Sequence, residues 1–430
     1  MKKALHEIST NKKESAVLVA IDTGATGSWF PEDILDELNE LAQTAGADVT
    51  KCFVQRRKKP DVAYYVGEGK AEEIREYCID NSIDMIIFAE ELSPGQKRNL
   101  EEKTETKIID RTELILDVFA MRARSKEGKL QVELAQLNYL LPQLSGKGTV
   151  LSRLGGGIGT RGPGETKLET DRRHIRNRIH DIEQEIKELR KHRQLHRKSR
   201  RSIPLATIAL VGYTNAGKST FLNASTDAEV LAENKLFATL DPTTRQITLP
   251  NNHTVLLSDT VGFIHNLPHH LVAAFKATLE EVAEADILLH VVDVSHPKYP
   301  EQIEAVQNVL SQLDISDRKT FTALNKIDRL SFGERQIKKT KDIPDSYPIS
   351  ALTKEGIPEL MRGISSYLDR ERVTVFLRIP YDKGDVVSFI HNHGQVLLQK
   401  FEKDHTIIEA KIMRYDIDHV SPFIDRKFED

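Results

Sequence analysis

The sequence predicts an α/β multidomain chain in four parts: a small N-terminal parallel α/β domain (1–112), a long helical hairpin with a Gly-rich loop (113–201), a P-loop domain (202–370) and a small C-terminal α+β domain (371–430). Three observations carry this reading. Short β-branched runs alternate with amphipathic helical patterns up to about residue 110. Two apolar stripes at helical spacing flank a glycine-rich stretch. A glycine-rich Lys-Ser loop follows an apolar strand directly.

In the first part, the runs Ala16 to Ile21, Val49 to Gln55, Met85 to Ala89 and Lys107 to Ile109 read as strands, and Pro31 to Ala45 and Lys70 to Asn81 as helices. Such alternation indicates βαβ units and a parallel sheet. Gly67-Glu68-Gly69-Lys70 lacks the spacing and the Ser/Thr of a phosphate loop, and Arg56-Arg57-Lys58-Lys59 reads as a solvated turn.

The second part opens with Leu130, Leu134, Leu137, Leu141 and Leu144, a packing stripe. Beyond Pro142, residues 145–164 hold glycines at 146, 148, 155, 156, 157, 159, 162 and 164 with Lys147, Arg153 and Arg161, and so can bury no core. Gly157 to Gly162 fits G-x-G-x-x-G, but no strand precedes it and Pro163-Gly164 breaks the turn before a helix begins, which excludes a dinucleotide fingerprint. Its arginines and exposed backbone N–H groups suit a polyanion such as RNA. Then Leu168 and Ile175, one heptad apart, and Ile179, Ile182, Ile186 and Leu189, alternately four and three apart, form a coiled-coil seam whose nearest partner is the leucine stripe. The expected product is an antiparallel hairpin with the glycine loop at its tip. Its outer face carries Arg172, Arg173, Arg176 and Arg178, then Arg190, Lys191, Arg193, Arg197, Lys198, Arg200 and Arg201, a concentration of one sign suited to phosphate contact.

The third part carries the chemistry. Gly212-Tyr213-Thr214-Asn215-Ala216-Gly217-Lys218-Ser219 follows the apolar run Leu205 to Val211. Its backbone N–H groups suit a β-phosphate, Lys218 reaches the β/γ oxygens, and the Ser219 hydroxyl is placed to ligate Mg²⁺. Asp259-Thr260-Val261-Gly262 closes the strand Thr254 to Leu257, so that Asp259 can hold the Mg²⁺ shell through water and the Gly262 N–H can meet a γ-phosphate. Asn325-Lys326-Ile327-Asp328 and Ser350-Ala351-Leu352 decide the base. The Asp328 carboxylate accepts from guanine N1–H and its amino group, whereas adenine would leave it unpaired; sites built on polar matching reject the wrong ligand by up to about 10⁴–10⁵-fold. The Ala351 N–H is expected at guanine O6.

In the polar segment Phe237-Ala238-Thr239-Leu240-Asp241, Thr239 is the expected switch threonine and second Mg²⁺ ligand, with Thr243 and Thr244 bonding locally. Where many GTPases place a glutamine that orients the attacking water, this chain has Phe263, so intrinsic hydrolysis is expected to be slow. Asn215 is open to two readings, a hard-oxygen ligand for K⁺ beside the phosphates or a side chain bonding within the loop. The expected catalytic set is Lys218, Thr239, Gly262 and Asn215. The fourth part reads strand, helix, strand, strand, over Val373 to Ile379, Lys383 to His393, Gln395 to Phe401 and His405 to Ile412, with no catalytic constellation.

A net charge of −4 does not mark a globally basic binder, so polyanion contact must come from local segments. Cys52 and Cys78 are too few and too far apart for a metal site or disulfide framework, which suits a reducing compartment. Met1-Lys2-Lys3 leads into no apolar signal region, and no run reaches membrane-crossing length, so a cytoplasmic protein is expected.

Asp110-Arg111-Thr112, Leu134-Ala135-Gln136-Leu137-Asn138-Tyr139, Gly155 to Thr166 and Gly212 to Thr220 together closely resemble HflX, a family of Obg-like translational GTPases. The resemblance runs through nearly the whole chain, and the Gly155 to Thr166 stretch lies outside the generic GTPase motifs. It implies a Mg²⁺-dependent GTPase, stimulated by ribosomes, that binds the large ribosomal subunit and its ribosomal RNA near the peptidyl-transferase centre and splits stalled or idle ribosomes. It assigns Gly212 to Ser219 to phosphates, Ser219 and Thr239 to Mg²⁺, Phe237 to Asp241 and Asp259 to Gly262 to the switches, and Asn325 to Asp328 with Ser350 to Leu352 to guanine. The glycine loop and hairpin would be the ribosome-reaching arm of a monomer. The alternative is an assembly or RNA-remodelling GTPase acting on immature large subunits.

Overall fold

The computed structural model describes residues 13–24, 29–144, 163–200, 205–226, 236–237, 241, 243–266, 268, 271, 281–315, 317–331, 343–370, 372–413 and 417–425, with backbone alone at 163–168, 190, 192–200, 392–393 and 413. The chain divides into two compact units, one formed by 1–186, 233–241 and 265–278, the other by 187–232, 242–264 and 279–430.

In the first unit, β1 (Ser15–Asp22), β2 (Asp48–Arg56), β3 (Met85–Phe88) and β4 (Lys107–Asp110) form a parallel sheet in the order β2-β1-β3-β4. β1 and β3 are central, and Ala16 to Ile21 and Met85 to Phe88 are apolar and buried, as strands covered on both faces must be. The crossover helices are α1 (Pro31–Ala45), α2 (Glu68–Asp80) and α3 (Pro94–Thr104). Leu35, Leu38, Leu41 and Ala42 set the buried stripe of α1, which stops at Gly46 in the left-handed conformation. At Gly67 the chain caps the start of α2 and donates its N–H to Gln55 Oε1 at 2.7 Å, so this glycine pair starts a helix.

α3 and α4 (Arg111–Arg122) are additions to the sequence reading. Ser93 and Gln96 close a capping box on α3. Asp110 ties several elements together. Its Oδ1 accepts from the Glu113 N–H at 3.0 Å, capping α4, and its Oδ2 accepts from the Leu92 N–H at 3.1 Å and from the Tyr139 hydroxyl at 2.8 Å.

Tyr139 lies on α5 (Lys126–Gln143), the first helix of the hairpin; the second is α6 (Pro163–Arg200). Pro163 therefore begins a helix instead of breaking one, a position where its missing N–H costs nothing. Ile182 and Ile186 are buried, and Glu133 pairs with Arg178 while Lys126 pairs with Glu185, so α5 and α6 run antiparallel as expected. The stripe is less simple than the leucines suggested: Leu130, Val132, Ala135 and Tyr139 form the buried set, while Leu134, Leu137 and Leu141 are only half-buried. Residues 145–162, the glycine loop with Lys147, Arg153 and Arg161, lie outside the described residues.

The second unit holds a six-stranded sheet in the order β10-β9-β8-β5-β7-β6, from β5 (Ala206–Val211), β6 (Thr243–Thr248), β7 (Thr254–Asp259), β8 (Ile287–Asp293), β9 (Lys319–Asn325) and β10 (Ser346–Pro348). All pairs are parallel except the β6–β7 edge. Ile208, Leu210, Leu257, Leu289, Phe321, Leu360 and Ile364 are among its core. Helices α7 (Lys218–Ser225), α8 (Tyr299–Gln312) and α9 (Ile357–Arg370) accompany it. A three-stranded antiparallel sheet follows, β11 (Arg372–Pro380), β12 (Gln395–Phe401) and β13 (His405–Met413) in the order β11-β13-β12, with α10 (Gly384–His393) burying Ile390 against it. The strand, helix, strand, strand pattern of the sequence is reproduced. No described helix is long and apolar enough to cross a membrane.

Candidate nucleotide site

In an open α/β sheet, ligands sit at the carboxyl ends of the strands beside the point where strand order reverses. β5 occupies that point between β7 and β8, and the loop Gly212 to Gly217 leaves it to enter α7 at Lys218. Gly217 has φ of +99°, and a Cβ there would lie 2.3 Å from Asn325 Nδ2. Only glycine permits this approach, which lets Asn325 Nδ2 donate to Ala216 O at 2.8 Å. Asn325 Oδ1 in turn accepts from the Ala351 N–H at 2.9 Å. One amide thus joins the phosphate loop, the end of β9 and the turn after β10.

Lys218 is buried and donates from Nζ to Gly212 O at 3.0 Å and Tyr213 O at 2.9 Å. Burial pushes its pKa down to about 8, opposed by the Asp259 charge. His290 on β8 is buried as well; desolvation, then the Lys218 charge, lowers it to about 4, so its imidazole is neutral.

The Ser219 hydroxyl donates to Asp259 Oδ2 at 2.6 Å, so the assigned Mg²⁺ ligand Ser219 meets, at the strand end, the carboxylate expected to hold the ion's shell through water. This donor chemistry fits a small divalent cation held by few protein oxygens and a phosphate. Thr239, with Ala238 and Leu240, lies outside the described residues. Thr260 holds structure: its hydroxyl donates to Leu210 O at 2.5 Å, locking β7 to β5, and Val261 is buried.

Gly262 lies against the phosphate loop, where a Cβ would come within 2.8 Å of Thr214 Cγ2 and 2.9 Å of Lys218 Nζ. Beside it the Phe263 N–H donates to Gly212 O at 3.1 Å and Phe263 O accepts from the Thr214 N–H at 2.7 Å. The Phe263 ring is 2% exposed. The residue in the water-orienting place therefore bonds to the phosphate loop through its backbone and buries its side chain. Asn215 takes a left-handed backbone, φ +60°.

At the base site, the Ser350 hydroxyl donates to Asp328 Oδ1 at 2.6 Å, which fixes the carboxylate. Leu352 is 75% exposed. The Ala351 N–H, expected at guanine O6, is committed to Asn325 here. Lys326, also left-handed at φ +66°, places its ammonium 2.7 Å from Asp293 Oδ2. Asp293 and Ser295 escaped the sequence reading, although a carboxylate ending the run Ile287 to Val292 repeats the pattern that marked Asp259.

Two residues assigned to the nucleotide spend their side chains elsewhere. The Phe237 ring is buried edge-on against Phe119, centroids 4.6 Å apart, because a ring of that size gains more from packing than from solvent. Asp241 accepts from the N–H groups of Arg124 at 2.8 Å and Ser125 at 2.7 Å, and from the Ser125 hydroxyl. It extends the N-cap of α5, where Ser125 Oγ accepts from the Gly128 N–H at 2.9 Å. Past Phe263, His265 belongs to the same unit as α4. Its carbonyl accepts from Arg111, which also pairs with Glu37, and its ring stacks on Trp29 at 4.4 Å. Arg178, read as a free phosphate contact, is held by both carboxylate oxygens of Glu133 at 2.7 and 2.9 Å.

A model described as GTP-binding GTPase N-terminal matches residues 32–120, GTP-binding GTPase Middle Region matches 122–200, and 50S ribosome-binding GTPase matches 207–326. The chain is 50% identical to the GTPase HflX of Caldanaerobacter subterraneus subsp. tengcongensis, over 93% of this chain and 91% of that protein. It is 44% identical to the GTPase HflX of Escherichia coli K12, over 92% of each. Among solved structures, a GTP-binding protein from the hyperthermophilic archaeon Sulfolobus solfataricus in complex with GDP aligns with a TM-score of 0.44 and 25% identity, over 82% of this chain and 98% of that one. With relatives of this identity along almost its whole length and a phosphate loop built as above, the chain belongs to the HflX family and is a GTPase, hydrolysing GTP to GDP and phosphate.

Proposed function

We propose that this protein is a cytoplasmic, monomeric factor that binds the large ribosomal subunit in its GTP form and splits stalled or idle ribosomes, leaving after hydrolysis. The observation that carries the reading is the Asp241 cap on α5. Asp241 closes the segment that would ligand Mg²⁺ through Thr239, and α5 is the helix that leads to the glycine loop. A change at the triphosphate that moves Asp241 therefore acts on the base of the arm. The match of residues 207–326 to a 50S ribosome-binding GTPase model supports the same partner.

Under this reading, of the sequence domains 1–112, 113–201, 202–370 and 371–430, the second makes the ribosome contact and the third keeps nucleotide timing, while the first and last carry no assigned role. The N–H groups of Gly212 to Ser219 cradle the phosphates and Lys218 neutralises them. Ser219 and Thr239 would hold Mg²⁺, with Asp259 behind Ser219. Bound Mg²⁺ would neutralise charge developing on the β/γ oxygens. The Gly262 N–H, beside the phosphate loop, would meet the γ-phosphate. Asp328, fixed by Ser350, reads guanine. Phe263 positions no water, so basal turnover is slow and the large subunit accelerates it. Asn215 would supply a carbonyl oxygen to K⁺ beside the phosphates, and basal rates in potassium above those in sodium would support that role over bonding within the loop. Sedimentation of mature ribosomes with the protein and a non-hydrolysable GTP analogue tests the whole. Co-migration with large subunits and loss of intact ribosomes is expected; binding confined to immature large-subunit particles would replace it with an assembly role.

A further inference from the structure

We propose that Asp293, set by Ser295, is the positioning residue for Lys326 in the guanine site; the proposal rests on the assignment of Asn325 to Asp328 to the base. Asp293 ends β8 and stands directly opposite Asn325 at the end of β9, the residue that joins the phosphate loop to the base-reading turn. The Val294 N–H donates to Asn325 O at 3.1 Å, so the two strand ends are fastened together. From there the chain turns through Lys326 in a left-handed conformation into the short 3₁₀ turn Ile327–Arg329 that presents Asp328.

The Lys326 ammonium lies 2.7 Å from Asp293 Oδ2, and the two side chains are 14% and 13% exposed. The other carboxylate oxygen is also committed: Oδ1 accepts from the Ser295 N–H at 3.0 Å and from the Ser295 hydroxyl at 2.5 Å. Ser295 therefore fixes the carboxylate plane, and the carboxylate fixes the lysine head. A pair this secluded is a poor source of stability, because desolvation offsets its attraction. What it does supply is geometry. Lysine has a flexible four-carbon stem that loses much rotamer freedom when ordered. With its head anchored before a ligand arrives, the stem between Asn325 and Asp328 offers a fixed apolar wall to the purine, and ordering is not charged against binding.

The test is a double-mutant cycle on GDP affinity and dissociation rate, measured with a fluorescent GDP on the full chain. Asp293→Asn keeps the shape and removes the charge; it should weaken GDP about tenfold, chiefly through faster dissociation, and Ser295→Ala about threefold. Asp293→Glu should recover affinity to within about threefold of the unaltered protein. In a Lys326→Ala background, Asp293→Asn should add less than about twofold, since a positioning residue has nothing left to position. Full additivity in that background would overturn the proposal while leaving the guanine site intact. Unchanged GDP affinity in Lys326→Ala alone would overturn the guanine-site assignment and the proposal with it. Should Asp293→Asn not fold, the Ser295→Ala and Lys326→Ala pair gives the same cycle, with the same additive result counting against the proposal.

Discussion

Asp241 and Ser125 are joined through both oxygens of the carboxylate: the Ser125 N–H donates to Oδ2 at 2.7 Å and the Ser125 hydroxyl to Oδ1. They stand 116 residues apart, one in the segment before β6 and the other at the first turn of the hairpin. Replacing Asp241 by Ala removes the two acceptor oxygens that take three hydrogen bonds at the start of α5, and lost caps cost about 0.5–2 kcal/mol. Asp241→Ala should lower unfolding stability by about 1–2 kcal/mol in urea denaturation and speed amide exchange at Ser125 and Gly128. Unaltered exchange at those amides would mean that the cap is not formed in solution.

Asp328→Asn should reduce GTP affinity by about 10²-fold or more while raising affinity for xanthosine triphosphate, because an amide donates to the base oxygen where a carboxylate only accepts. Competition binding with both nucleotides reads this directly. Equal loss for both would assign Asp328 to the Ser350 turn alone.

Lys218 gives a pH dependence with a definite sign. In the free protein its pKa is near 8, held down by burial, and phosphate oxygens favour its charged form. Below pH 8 it is already protonated and binding takes up no proton. Above pH 8 binding must draw one in, so GDP affinity should fall by up to about tenfold per pH unit. Calorimetry in buffers of differing ionisation heat should show proton uptake approaching one per nucleotide near pH 9. Uptake of zero across this range would place the ammonium outside the phosphate site.

Phe263 is buried and its backbone bridges the phosphate loop. Phe263→Ala should destabilise the protein by about 3–5 kcal/mol through the cavity it leaves. Phe263→Leu should cost much less. Comparable denaturation midpoints for Phe263→Ala and the unaltered protein would show that the ring is not buried in solution.

Much of this was legible in the sequence where local pattern and final environment coincide. β1 and β3 are covered on both faces and read as apolar runs, and Gly212 to Ser219 forms its loop because its own glycines require it. α3 was not legible because only Leu100 and Thr104 of its residues are buried, which leaves no stripe to find. The roles of Phe237, Asp241 and Arg178 depend on partners far along the chain, Phe119, Ser125 and Glu133, which no local spacing encodes. Asp293 lay between these cases: its strand-end position was visible, but its lysine partner emerges only when β8 and β9 pair.

The claim that the glycine loop and hairpin form the working arm is tested most directly by deleting Gly148 to Arg161 and closing the hairpin with a short flexible turn. The deletion spares the buried seam residues Leu130, Ala135, Ile182 and Ile186, so folding and GTP binding should persist. The measurement is the rate at which mature ribosomes separate into subunits with GTP and the deleted protein. Separation should be lost; separation at the rate of the unaltered protein would show that the arm is not the working element.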